Sequence, residues 1–275
     1  LTLVKRVVND DGGSATVADF TLATDAGTLT PFSAGVPDGT DTLKYTSQTL
    51  SGLSAGAYTL RESDVDGYTE GTWSCTTGGT VTDSSIDNGS VTLANGADVT
   101  CTITNNDVAA GLTIVKRVTN DDGGTATATD YTAATAAGAL SFDGGAGARP
   151  STTYTATTLT GLSAGTYSLS EDDVDGYTEG TWSCTNGDGG AYDSGSVTLD
   201  NGESVTCEIT NDDDAADLTV IKKVTNDDGG TATVTDFNVA TDAGALSFDG
   251  GDGGSPTTTY VATTLTGLSA GTYSL

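Results

Sequence analysis

The chain repeats itself, and the repeat limits every other reading of it. LTLVKRVVNDDGG at Leu1 returns as LTIVKRVTNDDGG at Leu112 and as LTVIKKVTNDDGG at Leu218. LSGLSAGAYTLRESDVDGYTEGTWSC from Leu50 returns as LTGLSAGTYSLSEDDVDGYTEGTWSC from Leu159, and VTCTITNND from Val99 returns as VTCEITNDD from Val205. The offsets of 111 and 106 residues match a small sandwich domain. Three modules are expected: residues 1–107, 112–213 and 218–275, the third breaking off inside the segment that ends at Leu60 in the first. Such a chain is expected to be a piece of a longer array. Joints of a few residues, Val108 to Gly111 and Asp214 to Asp217, leave little freedom between modules and favour an extended rod over a flexible string.

Within the first copy the strand signals fall at Leu1–Val8, Ala15–Thr24, Thr42–Leu50, Ala57–Glu62, Thr69–Cys75, Ser90–Leu93 and Val99–Asn105. Thr, Val, Tyr and Ile supply the β-formers, Gly- and Asp-rich turns separate the runs, and no stretch holds a helical period. The predicted fold class is all-β: tandem β-sandwiches of immunoglobulin-like or prealbumin-like type.

The formal charge of −29 excludes whole classes of partner. It repels nucleic acid and anionic lipid, and nine basic residues form no stripe that could hold phosphates. No apolar run reaches the roughly 20 residues that span a bilayer. The absence of His removes the commonest general base and the commonest metal-binding imidazole, so enzymology is not expected. An Asp-rich, Lys-poor surface suits salty surroundings, where a Debye length of about 3 Å at 1 M salt mutes the repulsion. Simple solubility, or the gathering of divalent cations, is the alternative.

Side-chain parity gives the sharpest signal. Leu1, Leu3, Lys5 and Val7 share one face of the first strand; Tyr58, Leu60 and Glu62 point together; so do Val99, Cys101, Ile103 and Asn105. The apolar face therefore carries a Lys, a Glu and an Asn, and Lys116, Glu171 and Asn211 repeat the arrangement. Only six Glu exist in the chain, yet each complete copy places one there. An isolated buried charge costs several kcal/mol. Two solutions stay open. One is a buried ion pair with the amide as hydrogen-bond partner. In the other, burial lowers the Lys pKa and raises that of the Glu; the neutral amine attacks the carboxamide, and ammonia leaves.

At these residues the chain resembles the Cna-B or SpaA-like prealbumin-like domains of bacterial adhesins and pilins. The strand LTLVK, the segment AGAYTLRESDVDGY and the closing TITN carry the resemblance. It implies an intramolecular isopeptide bond between first-strand Lys and last-strand Asn, assisted by the middle-strand acid. The implied sets are Lys5, Glu62 and Asn105, then Lys116, Glu171 and Asn211, with Lys222 opening a third whose partners are expected beyond Leu275. The family often has Pro where this chain has Asp66, and a Cys pair is not its usual feature.

Cys75 and Cys101 belong to the first copy and Cys184 and Cys207 to the second. One pair per complete module favours the disulfides Cys75–Cys101 and Cys184–Cys207, and hence an extracellular or cell-surface location. Four buried free thiols are the alternative; no CxxC spacing supports zinc. The Asp-rich turns NDDGG and DVDG could bind calcium through Asp10, Asp11, Asp64 and Asp66, with Asp121, Asp122, Asp173 and Asp175 in the second copy, near the joint at Asp107. Such residues are also ordinary in tight turns, and no complete EF-hand pattern occurs. No cofactor is required.

The sequence points to a structural protein: a stalk, fibre or pilus-like filament whose partners are neighbouring copies of the same repeat. A calcium-stabilised adhesin is the alternative, gripping a partner through variable loops such as Pro31–Thr42 and Phe142–Thr153. A hydrolase using paired carboxylates has no pair that stands out among so many Asp.

Overall fold

Val99–Asp107 alternates buried and accessible residues along its whole length, as a strand with one packed face must. In the computed structural model this strand is the hinge of the first module's architecture. The structure describes all residues except 78, 79, 87, 88, 187–190 and 194. The first module contains β1 (Thr2–Val8), β2 (Val36–Pro37), β3 (Thr42–Thr46), β4 (Gly56–Thr59), β5 (Tyr68–Glu70), β6 (Trp73–Thr77), β7 (Thr80–Ile86), β8 (Ser90–Leu93) and β9 (Val99–Asp107). The larger sheet runs β2-β3-β1-β9-β6-β7, with β5 also on β9. The smaller sheet is the pair β4-β8.

First and last strands are neighbours. β1 and β9 pair in parallel from Thr2 opposite Thr100 to Val8 opposite Asn106, and β3 lies antiparallel on the other side of β1. A parallel pair needs a long crossover, and here almost the whole module is that crossover. Leu3, Leu60, Trp73, Cys75, Cys101 and Ile103 are fully buried between the sheets. A large aliphatic side chain buried this way stabilises by about 1.5–3 kcal/mol, and truncating Leu3 to Ala would cost about 2–5 kcal/mol. A second cluster, Val7, Phe20 and Tyr45, closes the far end.

The second module repeats the plan with β10 (Ala110–Thr119), β11 (Ala134–Thr135), β12 (Ser151–Thr155), β13 (Leu159–Leu162), β14 (Gly165–Ser170), β15 (Tyr177–Glu179), β16 (Ser183–Asn186), β17 (Ala191–Asp193), β18 (Ser196–Leu199) and β19 (Ser204–Asp213). Its first and last strands, β10 and β19, again pair in parallel. The third contributes β20 (Ala216–Leu218), β21 (Ile221–Thr225), β22 (Thr257–Val261) and β23 (Leu265–Leu268), paired as β20-β23 and β21-β22. Among the described residues no helix is long and apolar enough to cross a membrane.

Two strand expectations need correction. Ala15–Thr24 is not a strand: it contains a single 3-10 turn, Val17–Asp19. The reason is local. Asp19 Oδ2 accepts from the Thr16 backbone N–H at 2.8 Å, and Asp130 and Asp236 do the same for Thr127 and Thr233. This reciprocal capping satisfies the backbone outside a sheet. Thr69–Cys75 is broken at Gly71 and Thr72 into β5 and β6, both resting on β9. A Cβ on Gly71 would sit 2.5 Å from the Thr104 carbonyl oxygen, so the break is closed by a residue without a side chain.

The joints are shorter than expected. β9 ends at Asp107 and β10 starts at Ala110, while β19 ends at Asp213 and β20 starts at Ala216. Across the first joint Ala164 N–H donates to the Asp11 carbonyl at 2.7 Å, Gly202 N–H to that of Val108 at 2.6 Å, and Asn201 Nδ2 to Asp107 Oδ2 at 3.1 Å. Ala270 N–H donates to the Asp122 carbonyl at 2.6 Å at the second joint. The NDDGG turn of one module thus receives the SAG turn of the next. Gly12 makes this approach possible, with φ of +87° and only 2.8 Å between a hypothetical Cβ and Ala164 N.

Candidate crosslink site

β1 places Lys5 opposite Tyr45 on one side and Ile103 on the other, while Val7, one pleat on, faces Asn105. The ammonium can reach forward to that asparagine from within its own sheet. Glu62 comes from the facing sheet, just past β4, where an isolated bridge between Ala23 and Arg61 holds the backbone. All three side chains are buried: Lys5 is 0% exposed, Glu62 9% and Asn105 1%. Lys5 Nζ stands 2.8 Å from Glu62 Oε1, and Asn105 Oδ1 lies close-packed with no hydrogen-bond partner. In the second module Lys116 Nζ donates to Glu171 Oε2 at 2.7 Å and also to Asn211 Oδ1.

An aromatic ring floors each site. Lys5 Nζ is 3.8 Å from the Phe20 centroid, Lys116 Nζ 3.8 Å from that of Tyr131, and Lys222 Nζ 4.1 Å from that of Phe237. Phe20 in turn meets Tyr68 edge-to-face, as Tyr131 meets Tyr177. Sequence reasoning missed these rings, although the repeated spacing T-x-x-D followed by Phe or Tyr marks them. It also missed Glu70 and Glu179, which β5 and β15 set directly opposite Asn105 and Asn211.

Burial lowers the Lys5 pKa to about 8, outweighing the opposite pull of Glu62 and the weaker one of Glu70. Lys116 is lowered for the same reason, against Glu171 and Glu179. At neutral pH roughly a tenth of a lysine with that pKa is the free amine, against well under a hundredth for one in water. A neutral amine pressed against a carboxamide in a dry pocket has the proximity that amide exchange lacks in solution. Lys222 lies opposite Tyr260 on β22, with its ammonium over the Phe237 ring.

Both cysteine pairs are joined, Cys75 to Cys101 and Cys184 to Cys207. Each bridges directly opposed residues on adjacent strands of one sheet rather than linking the two sheets. Trp73 and Trp182 are core residues beside them.

The aspartates separate into two groups. Carboxylate oxygens of Asp10, Asp11 and Asp107 lie within 4.8 Å of one another, as do those of Asp121, Asp122 and Asp213. Asp64, Asp66, Asp173 and Asp175 join neither trio, because the DVDG turn and the NDDGG turn do not present their carboxylates to a common point. Asp107 Oδ2 accepts from Asp11 N–H at 3.0 Å and Gly13 N–H at 2.7 Å. Burial pushes Asp213 up, but the N–H groups of Asp122, Gly124 and Asp121 hold it below the usual carboxylate range. The inward aspartate at the end of each last strand thus ties down the first turn of its own module.

A profile of the SpaA-type prealbumin-like fold domain matches residues 1–103, 107–209 and 213–275. No curated protein matches the chain. Among solved structures, the major pilin protein T-13 from Streptococcus pyogenes is 15% identical, with a TM-score of 0.34 over 78% of this chain and 97% of that one. A second major pilin from Streptococcus pyogenes is 17% identical, with a TM-score of 0.35 over 78% and 98%. The TIE protein of Bacillus anthracis is 15% identical, with a TM-score of 0.24 over 75% and 33%. Matched three times over nearly its whole length, the chain belongs to the family of SpaA-type prealbumin-like fold domains.

Proposed function

We propose that this chain is a load-bearing segment of an extracellular stalk or pilus-like filament, and that each complete module seals itself with a Lys–Asn amide. The observation that carries the reading is Lys116, 0% exposed and donating to both Glu171 and Asn211. The buried acid takes a proton from the ammonium. The lone pair of Nζ then attacks Cγ of the asparagine, the bond from Cγ to the amide nitrogen breaks, and that nitrogen leaves as ammonium. One ammonium and one primary amide become one secondary amide and one ammonium ion, so atoms and charge balance. The lysine and asparagine are consumed, so this is a single maturation event and not turnover.

Disulfides in both complete modules support an oxidising, extracellular setting. Intact mass before and after reduction tests the proposal. The expected result is one ammonia missing for each complete module and two hydrogens regained for each disulfide. A full-mass chain whose Lys5 and Lys116 react with an amine reagent after unfolding overturns it. A second reading, an adhesin module stiffened by calcium, draws support from the two aspartate trios. It requires a higher melting temperature in calcium than in chelator, and equal melting curves reject it.

A further inference from the structure

The crosslink reading balances overall but does not assign the group that delivers the proton to the departing nitrogen. The acid that contacts the lysine sits on the Nζ side, whereas the nitrogen that must be protonated to leave belongs to the asparagine. Each complete module holds a second carboxyl on that other side. β5 runs antiparallel to β9 with Glu70 opposite Asn105, and β15 runs antiparallel to β19 with Glu179 opposite Asn211. Directly opposed residues project from the same face with Cβ atoms about 5 Å apart. Asn105 and Asn211 are buried, and beside them on the same face stand Glu70, half-buried, and Glu179, exposed.

Composition strengthens the assignment. The chain uses Asp almost everywhere and has six Glu, four of which are Glu62, Glu70, Glu171 and Glu179. The remaining two have other partners: Glu208 pairs with Arg117, and Glu203 caps the Asp200 turn. Glu70 and Glu179 also act electrostatically on Lys5 and Lys116. Burial, then Glu171 and Asp173, raise the Glu179 pKa against the pull of Lys116, which favours the protonated form a donor needs.

Resting on the crosslink reading, we infer that Glu70 and Glu179 deliver the proton to the departing asparagine nitrogen, giving each site two acids with divided duties. The lysine nitrogen sheds two protons, one before attack and one as the new amide forms, and Glu62 or Glu171 accepts each in turn and passes it to solvent; Glu70 or Glu179 protonates the amide nitrogen as its bond to Cγ breaks and recovers a proton from solvent. Two complete modules in one chain make each variant its own control.

The test refolds chains collected in denaturant and follows ammonia loss per module by peptide mass, from pH 6 to pH 8. The ionisable groups at the first site are Lys5, Glu62 and Glu70, with Tyr68 and Asp107 two residues along their strands. When an amine must be neutral and a carboxyl protonated, the two fractions change oppositely with pH and the rate stays flat between their pKa values. E70Q removes the second requirement. Its first-module rate is expected to fall about 10²-fold at pH 6 and then to climb about tenfold per pH unit, while the second module behaves as wild type. E70D, which keeps the carboxyl, should retain the flat profile. A flat, wild-type rate in E70Q overturns the inference while leaving the crosslink intact. A wild-type chain that never loses ammonia overturns the crosslink reading itself. Closure of Cys75–Cys101 scores folding independently; where E70Q fails to close it, the same comparison on E179Q decides.

Discussion

In a tandem chain, tension enters the first module through β1 and leaves through β9, because only two residues separate β9 from β10. Removing the Glu62 carboxyl, as in E62A, should block the first seal and open that module to load. The size of the effect follows from chain length. Lys5 and Asn105 are 100 residues apart, which is about 340 Å of extended chain at 3.3–3.6 Å per residue. The Cys75–Cys101 bridge holds 26 of those residues back, so an oxidised module gains about 250 Å and a reduced one about 340 Å. Single-molecule pulling of the whole chain reads this directly. The wild type is expected to show no step of that size from either complete module. E62A should show one, lengthening by about 90 Å under reductant. Residues 218–275 are identical in both chains and cancel in the comparison. Equal 250 Å steps in wild type and E62A would refute the reasoning.

Three further outcomes follow from the same geometry. N105A leaves Lys5 unreacted, and the loop-entropy argument used for disulfides gives a loss of about 4–5 kcal/mol, readable as a fall in the urea midpoint of the first module. In that variant stability should rise with pH. Lys5 has a folded pKa of about 8 against 10.5 unfolded, so between these values the unfolded chain binds more protons, and up to about 3 kcal/mol of stability absent below pH 8 is recovered by pH 10.5. Flat stability from pH 8 to 10 would contradict the burial of that amine. D107A removes the acceptor of the Asp11 and Gly13 N–H groups and of Asn201, and should cost about 2–3 kcal/mol; faster amide exchange in Asn9–Gly13, with the corresponding turn Asn120–Gly124 unchanged, is the check.

What the sequence disclosed depended on range. Parity is a two-residue rule, so the inward positions of Lys5, Glu62 and Asn105 could be read from single strands, and the repeat doubled the signal at Lys116, Glu171 and Asn211. The cysteine pairing came from counting modules. The capped turn at Val17–Asp19 was misread because Ala15–Thr24 has strand-like composition, while the Thr16–Asp19 reciprocity that bends it is a specific pair within that run. Glu70 and Phe20 escaped because their places beside the site depend on which strand lies beside which. No local pattern states that β5 rests on β9, or that the residue after the turn folds under a lysine from another strand.

The same register explains why the polar trio sits where it does. A Lys–Asn bond between distant strands of one sheet would stiffen a module without shielding it, since force would still unzip whatever lay outside. Here the strands that receive and pass on tension are parallel neighbours, with Lys5 four residues from the start of the module and Asn105 two residues from the end of β9. Nearly the entire fold lies inside the proposed bond and nearly none of it on the load path. The cysteines, by contrast, tie β6 to β9 inside that loop and carry no tension while the amide holds. Oxidation state should therefore leave the extension of sealed modules unchanged and alter only that of unsealed ones, an ordering that a fold stabilised by its disulfides alone would reverse.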